Sequence, residues 1–193
     1  NYTKNADEIV LLSIIKERYQ TSIDETKKIL KNLKNKDSDI ESKLMTSLLH
    51  SKNQRELEQV SFTYEIPISL AVLTHITRHR MHSLLVPDFV PMWNLDNYII
   101  PDTLKKEHEN EFKEIFANNK KMYEKFKSYG IRDEDLIYFY QSGNTCNIST
   151  TMSARTLEWV SRMRCCNKAQ WEIRNIAKQM VSLTTEVAPL IGK

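Results

Sequence analysis

The sequence predicts an α+β protein in which long helices dominate. Glycine and proline, which punctuate turn-rich β folds, are scarce, with 3 and 5 copies among 193 residues. Most of the chain carries apolar residues at helical spacing, whereas two short segments have the composition and polarity pattern of strands. A chain of this length can bury a sizeable core, so we expect one domain over 1–193. Asn1 is not a start methionine, which leaves room for preceding residues in the whole protein.

Three amphipathic helices are predicted before the first strand. Apolar residues recur at helical spacing in each, and Ser22 stands where a cap is expected for the second. The expected ranges are 7–19, 24–34 and 38–49. Residues 60–66 then alternate apolar with polar side chains, which predicts a half-buried strand ending at Pro67.

The rest of the chain is predicted to be mainly helical as well. An apolar helix from Ile68 to about Thr77 leads into 83–98, which prolines keep irregular or extended. A charged helix is expected over 103–128, with Gly130 as its C-terminal cap. The remaining expected elements are a short helix over 133–140, an extended piece over 144–151, and helices over 153–164 and 168–187.

Composition argues against several classes of protein. No run approaches the roughly 18 apolar residues of a membrane span, and no signal-peptide pattern opens the chain, so no membrane association is expected. A net charge of +3 is too small to require a nucleic-acid partner. The 3 cysteines, Cys146, Cys165 and Cys166, form no disulfide framework, which favours a reducing cytoplasm.

A basic cluster, Arg78-His79-Arg80, follows the apolar helix predicted to end at about Thr77. The helix dipole stabilises cations at a helix C-terminus, which gives the cluster a purely structural explanation. Arginine also offers a planar, always charged fork for phosphate, and histidine can donate a hydrogen bond beside it. The cluster therefore predicts either a solvated helix end or an anion site.

Three histidines around this cluster raise the question of a metal. His75, His79 and His82 fall at i, i+4 and i+7, on one face if the helix continued that far. No aspartate or glutamate nearby completes the usual ligand set, and the helix is expected to end near His82. Histidines lining a polar pocket are the simpler interpretation, and no metal is predicted.

A second group of arginines lies in the helix predicted at 153–164. Arg155 and Arg162 are seven residues apart and share a helix face, and Arg164 closes the helix. Arginines on an apolar helix cost desolvation energy unless they meet anions. Glu158 is one such anion and supplies the structural explanation, whereas a polyphosphate ligand is the functional one.

The sequence offers no activated nucleophile and no glycine-rich phosphate loop. Cys165 and Cys166 follow a basic helix end, a position that can lower a thiol pKa. No histidine is near them in the sequence, so ordinary, partly buried thiols are expected.

Two stretches together resemble the flavin-dependent thymidylate synthases. The first is RHRMHS at 78–83, and the second is SARTLEWVSRMRCCNKAQWEIRNIA at 153–177. The segment LEQVSFTYEIPISL at 57–70 looks like the family's Glu-His pair with the strand that follows it. The resemblance spans residues 8 to 188, and the 153–177 stretch is its most specific part.

The resemblance implies a mostly helical α+β domain with a small central antiparallel sheet. It implies a homotetramer whose active sites draw on several subunits. It further implies FAD as cofactor, NADPH and methylenetetrahydrofolate as co-substrates, and methylation of the pyrimidine nucleotide dUMP to dTMP. No cysteine nucleophile is needed for that reaction, which agrees with the absence of an activated one.

The resemblance also assigns roles to individual residues. Arg164 matches the arginine that holds the pyrimidine and favours its ionised form, so it is the expected catalytic residue. A guanidinium suits that role because it stabilises negative charge on the ring during attack. Arg78 and Arg164 are expected to bind the substrate. The expected cofactor-binding residues are Arg78, His79, Arg80, Ala154 and Arg155.

The substrate side departs from the family pattern. After seven intervening residues the family triplet is followed by serine, where this chain has Asp88, and two further loop residues fall on Val86 and Val90. A carboxylate in this loop would repel a phosphate monoester. The other departures are Ser153 for asparagine, Ile137 for arginine, Gln59 for histidine, and Asn53 for a histidine that His50 can replace.

Three functions stay open at this level. The first is FAD-dependent methylation of dUMP or of a related pyrimidine substrate. The second is a diverged, inactive flavin-site domain that supports a catalytic partner in an oligomer or a tandem protein. The third, a basic nucleic-acid-binding module, is disfavoured by the apolar setting of Arg155–Arg164.

Overall fold

The computed structural model of the chain describes residues 1–88 and 94–192. It is mostly helical with one small antiparallel sheet, which confirms the predicted α+β class. The chain forms two compact units. The first comprises Asn1–Tyr64, Met81–Ser83 and Thr151–Lys193, and the second comprises Glu65–Arg80 and Leu84–Thr150. The single domain stays a prediction.

The helices and strands agree with the predicted elements in order and type for most of the chain. The helices are α1 (Ala6–Tyr19), α2 (Ile23–Lys36), α3 (Ile40–Leu49), α4 (Leu70–Ile76), α5 (Asp102–Lys105), α6 (Glu109–Ser128), α7 (Asp133–Leu136), α8 (Ala154–Arg164) and α9 (Trp171–Val187). The strands are β1 (Ser61–Ser69), β2 (Ser83–Leu85) and β3 (Thr145–Ser153). Short 3-10 helices at Arg55–Gln59 and Ile137–Phe139 complete the described elements.

The sheet has the strand order β1-β3-β2, which places β1 at an edge. Phe62, Tyr64 and Ile66 are buried in alternation with more exposed neighbours, as the sequence pattern predicts. The prediction that the strand ends at Pro67 is wrong, because β1 continues to Ser69. An edge strand tolerates proline where the missing N–H has no ladder partner, and the bridge of Tyr2 to the outer side of β1 lies at Phe62, away from Pro67.

Helix α1 organises the N-terminal part of the first unit. It packs against α2, α3 and the 3-10 helix Arg55–Gln59, and its Val10, Leu11 and Ile15 are at most 2% exposed. The predicted Ser22 cap of α2 is confirmed as a capping box with Glu25. The Ser22 hydroxyl accepts the Glu25 N–H, and the Glu25 carboxylate accepts the Ser22 N–H at 3.1 Å.

The C-terminal part of the first unit is a helix pair. Helix α8 packs against α9 and against the 3-10 helix Arg55–Gln59. Helix α9 begins three residues later than predicted, because the Gln170 side chain accepts the N–H groups of Glu172 and Ile173 and so caps the helix there.

The second unit differs from the prediction at its charged helix. The helix expected over 103–128 is two helices, since α5 ends at Lys105 and α6 begins at Glu109. Gly130 has a φ of 77° and donates its N–H to the Lys127 carbonyl, so the predicted C-terminal glycine is confirmed. Leu95, Tyr123 and Leu136 form a buried cluster beneath these helices. None of the described helices is long and apolar enough to cross a membrane.

Candidate functional site

The start of α8 positions the candidate residues of the first unit. Strand β3 ends at Ser153 and α8 begins at the next residue, so no loop separates them. The Ser153 hydroxyl accepts the Thr156 N–H at 3.3 Å, and the Ala154 N–H donates to the Val60 carbonyl at 3.0 Å. Ser153 therefore supplies an N-terminal cap where the family has asparagine, and both residue types suit that position.

A cavity of about 680 Å³ opens along one side of α8. Arg155, Trp159 and Arg162 line it, at i, i+4 and i+7 of the helix. The predicted shared face of Arg155 and Arg162 is thereby confirmed. Facing residues from the rest of the unit are Ser51, Lys52, Gln54, Glu58 and Met81. A cleft of this size falls in the range of about 300–1,000 Å³ typical of small-molecule sites.

Both arginines of this cavity are paired with carboxylates. Arg155 donates from Nη1 to Glu58, and their side chains are 39% and 40% exposed. Arg162 pairs through Nε with Glu158 and donates from Nη2 to the Leu49 carbonyl at 2.9 Å. An exposed ion pair such as Arg155–Glu58 contributes about 0–1 kcal/mol, so an anionic ligand can displace Glu58 at small cost, whereas the Glu158 side chain is only 17% exposed.

A smaller cavity of about 420 Å³ lies beside the first and shares the Glu158–Arg162 ion pair with it. Ala154 and Leu157 contribute to its apolar lining, and His50 to its polar rim. Ala154 and Arg155 thus border different cavities, and Ala154 is completely buried. The expected contact of Ala154 with a flavin stays a prediction.

Arg164 leaves α8 on the side opposite Arg155. It is the last residue of the helix and is partly buried. Nine residues at about 100° each place the two side chains about half a turn apart. Arg164 does not line either of the two cavities described above. A ligand held in the larger cavity beside Arg155 therefore does not also contact Arg164.

The Arg78-His79-Arg80 cluster belongs to the second unit, whereas Ala154, Arg155 and Arg164 belong to the first. His79 is 4% exposed and donates its N–H to the Ile76 carbonyl at 3.0 Å. Arg78 and Arg80 on either side are exposed. The cluster thus presents two cations to solvent around a buried imidazole.

Helix α4 ends at Ile76 with Thr77 as its C-cap, which confirms the predicted end at about Thr77 and excludes a continuation to near His82. His75, His79 and His82 consequently do not share one helical face. Among residues 1–88 and 94–192, no group of three histidine, cysteine, aspartate or glutamate side chains is placed to hold a metal ion.

Two of the departures from the family pattern, Val86 and Asp88, fall in exposed chain. Val86 and Asp88 follow the end of β2 and are exposed, with Val86 at 39%, while Val90 lies outside the described residues. Ile137 opens a 3-10 turn in the second unit. His50, which can replace the family histidine, borders the smaller cavity, and its Nδ1 lies 2.8 Å from the Thr46 carbonyl oxygen.

The cysteine at the end of α8 is not an activated nucleophile. Burial raises the pKa of the Cys165 thiol, and the charge of Lys178 opposes this effect only in part. Desolvation outweighs the nearby cation, which agrees with the expectation of an ordinary thiol without activation. Cys165 is partly buried, as predicted, whereas Cys166 is exposed, so the prediction is wrong for that residue.

Several residues that border the larger cavity were not singled out from the sequence, among them Glu58, Met81 and Trp159. Trp159 was detectable, because it follows Arg155 by four residues and so lies on the same helix face. Glu58 and Met81 come from distant parts of the chain, and no local pattern connects them to α8.

The chain is similar over most of its length to known proteins. A family model described as thymidylate synthase complementing protein matches residues 1–190. The flavin-dependent thymidylate synthase of Clostridium tetani is 32% identical over 173 residues, which cover 79% of this chain and 69% of that protein. The flavin-dependent thymidylate synthase of Saccharolobus solfataricus is 29% identical over 201 residues, which cover 100% of this chain and 74% of that protein.

A further relative supports the same assignment. The flavin-dependent thymidylate synthase of Pyrococcus abyssi is 31% identical over 147 residues, which cover 70% of this chain and 60% of that protein. These matches confirm the family that the motifs at 78–83 and 153–177 predict. The chain belongs to the flavin-dependent thymidylate synthase family.

Proposed function

We propose that this protein methylates dUMP to dTMP with FAD as cofactor and with NADPH and methylenetetrahydrofolate as co-substrates. The observation that carries the proposal is the arginine-lined cavity on α8, in a chain that the family model matches over residues 1–190. The relatives named above are flavin-dependent thymidylate synthases by name, and the reaction assigned to this chain follows from that kinship.

The cavity on α8 fits a flavin nucleotide. Arg155 and Arg162 offer two guanidinium groups, which suit a pyrophosphate, and the Ser153 hydroxyl lies at the same cavity. The carboxylates of Glu58 and Glu158 hold these guanidinium groups until a stronger anion replaces them. A bound flavin supplies the hydride that completes the methyl group.

Arg164 is the proposed catalytic residue, and its role is electrostatic. Its guanidinium would hold the pyrimidine and stabilise the negative charge that develops on the ring during attack. Arg78, which is exposed in the second unit, is the second proposed substrate-binding cation, and with His79 and Arg80 it is proposed to contact the flavin. The raised pKa of the Cys165 thiol agrees with a reaction that needs no cysteine nucleophile.

We also propose that the working protein is a homotetramer with shared active sites. Arg155 and Arg164 leave α8 on opposite sides, so a flavin beside Arg155 and a nucleotide beside Arg164 of the same copy would lie apart. Assembly of several copies would bring the Arg164 of one chain to the flavin of another. We expect a cytoplasmic location, because the described cysteines are free thiols.

Tritium release from 5-tritiated dUMP tests the reaction. The purified protein, supplied with FAD, NADPH and methylenetetrahydrofolate, should release tritium in proportion to dTMP formed, and omission of any one component should stop the release. Replacing dUMP by unphosphorylated deoxyuridine is the matched control and should lower the rate.

The same assay separates the alternative of a diverged, inactive domain. A protein that binds FAD but releases no tritium at any enzyme concentration would contradict dUMP methylation and favour a supporting role. No observation among the described residues favours that alternative at present.

A further inference from the structure

Trp159 leaves a large aromatic surface in water beside the larger cavity. Its side chain is 46% exposed, although it sits in the middle of α8 and lines the cavity of about 680 Å³. Tryptophan is among the side chains that gain most from burial. An indole kept half in solvent at the wall of a cleft is therefore suited to packing against something that enters the cleft.

The neighbours of Trp159 define what would enter. Arg155 lies four residues before it and Arg162 three residues after it, so the indole stands between two guanidinium groups on one helix face. Met81, which is 75% exposed, contributes a flexible, polarisable thioether to the same cavity. The cavity thus combines a flat apolar wall with two cations, which matches a ligand that carries both a planar ring and phosphate groups.

We propose that Trp159 stacks on a planar heteroaromatic ring of the flavin cofactor and that the phosphates of the cofactor contact Arg155 and Arg162. The proposal rests on the proposed function, since the identity of the cofactor comes from there. FAD carries two rings with the required flat face, isoalloxazine and adenine, and the experiment separates them. Stacking of a base on an aromatic side chain contributes about 1–3 kcal/mol, which corresponds to an affinity change of about 5- to 150-fold.

The test measures FAD affinity by equilibrium dialysis on the purified full chain and its variants. Trp159→Leu removes the aromatic face but keeps an apolar side chain, and it should raise the Kd for FAD by about 5- to 150-fold. Trp159→Phe keeps an aromatic face and should retain most of the affinity. Tyr19→Leu is the matched control, because Tyr19 is an aromatic residue of the same unit that is 54% exposed at the end of α1, and it should leave the Kd unchanged.

Two smaller ligands identify the ring. FMN carries the isoalloxazine without the adenine, and ADP carries the adenine without the isoalloxazine. If Trp159→Leu weakens the binding of FMN and not that of ADP, the indole stacks on the isoalloxazine. In that case Trp159→Phe should also increase the fluorescence of the bound flavin, because a contacting indole quenches it. Weakening of ADP alone assigns the stack to the adenine.

The outcomes distinguish this inference from the proposed function. Wild-type protein that binds no FAD would overturn both, whereas FAD binding with the same Kd in wild type and Trp159→Leu would overturn the inference alone. If Trp159→Leu does not fold, the protein is labelled with 5-fluorotryptophan and the Trp159 signal is assigned with Trp159→Phe. FAD should then shift the ¹⁹F resonance of Trp159 more than that of Trp171, and an unshifted Trp159 resonance would contradict the stack.

Discussion

Two regions that should serve one reaction are built very differently. Helix α8 carries Arg155 directly after a strand, behind a capped N-terminus and beside a carboxylate partner. The segment after β2 carries Asp88 in exposed chain without helix or strand. The comparison teaches that the proposed cofactor side is held by regular structure, whereas the proposed substrate side, as far as Asp88, lies in exposed chain where a substitution disturbs the fold little.

This difference agrees with two of the departures from the family pattern, at Val86 and Asp88, whereas Ser153 and Gln59 depart within regular structure. A change in α8 would disturb a cap, a helix–helix contact or an ion pair, each of which contributes to stability. A change at Val86 or Asp88 meets no such constraint, because surface substitutions away from special features usually alter stability by less than about 0.5 kcal/mol. We therefore expect the flavin site to be retained and the nucleotide affinity to be altered.

The largest expected effect concerns the far side of α8. Arg164→Ala should lower kcat by about 100- to 1,000-fold, because the ring would lose a preorganised cation during attack. Steady-state tritium release measures this loss, and circular dichroism checks the fold. Arg132→Ala, which removes an arginine from exposed ion pairs in the second unit, is the control and should keep full activity. Equal activity of Arg164→Ala and wild type would remove Arg164 from the site.

The next effect tests the near side of α8. Arg155→Gln should raise the Kd for FAD by about 10- to 150-fold, as expected for the loss of a charge-assisted hydrogen bond of about 1.5–3 kcal/mol. Glu58→Gln is the matched variant, because it frees Arg155 from its carboxylate partner. It should bind FAD at least as tightly as wild type. FAD titrations followed by flavin absorbance distinguish the two variants. An equal loss of FAD affinity in both would contradict the assignment of Arg155 to FAD binding.

A smaller effect is expected on the substrate side. Asp88→Ser should raise the affinity for dUMP by about fivefold, since removing a like charge near a phosphate is worth about 1 kcal/mol in water. Asp88→Asn separates the charge from the hydroxyl, because it removes the carboxylate without adding a serine. Isothermal titration with dUMP measures both. A change in FAD affinity instead of dUMP affinity would contradict the assignment of Asp88 to the proposed substrate side.

The smallest effect concerns the 3-10 helix Arg55–Gln59, which also carries Glu58. Burial, then a hydrogen bond with Glu17 and the repulsion between the two carboxyl groups, raises the pKa of Glu56 above its ordinary value of 4.5. The folded state therefore binds the carboxyl proton of Glu56 more tightly than the unfolded state does. The free energy of unfolding consequently falls as pH rises from 4.5 through the raised pKa. Glu56→Gln should consequently raise Tm at pH 7 and not at pH 4.

Thermal unfolding of Glu56→Gln and wild type at both pH values checks this sign. Glu58→Gln is the control on the same helix turn. A Tm gain for Glu56→Gln that is equal at pH 4 and pH 7 would contradict the raised pKa.

Much of the fold was predictable because its signals are local. The Ser22 capping box, the Gly130 terminus and the alternation in β1 each depend on residues close in sequence. The strand length past Pro67 was not predictable, because it depends on β1 being an edge strand. The break between α5 and α6 was missed because 103–128 keeps a helical composition throughout.

The candidate site was predictable only in part, and for the same reason. The spacing of Arg155 and Arg162 predicts that they lie on one face of α8, because helical periodicity is a local property of the sequence. The pairing of Arg155 with Glu58 joins residues 97 positions apart, which no local pattern reveals. The raised pKa of the Cys165 thiol depends on burial, which the sequence around this residue does not reveal.

The most direct test of the account compares the two regions on one sample. The purified chain is titrated first with FAD, followed by flavin absorbance, and the loaded protein is then titrated with dUMP. We predict saturable FAD binding together with dUMP binding that Asp88→Ser strengthens while the FAD affinity stays the same. A protein that binds no FAD, or one in which Asp88→Ser changes neither affinity, would contradict the claim that the cofactor side is retained while the substrate side has diverged.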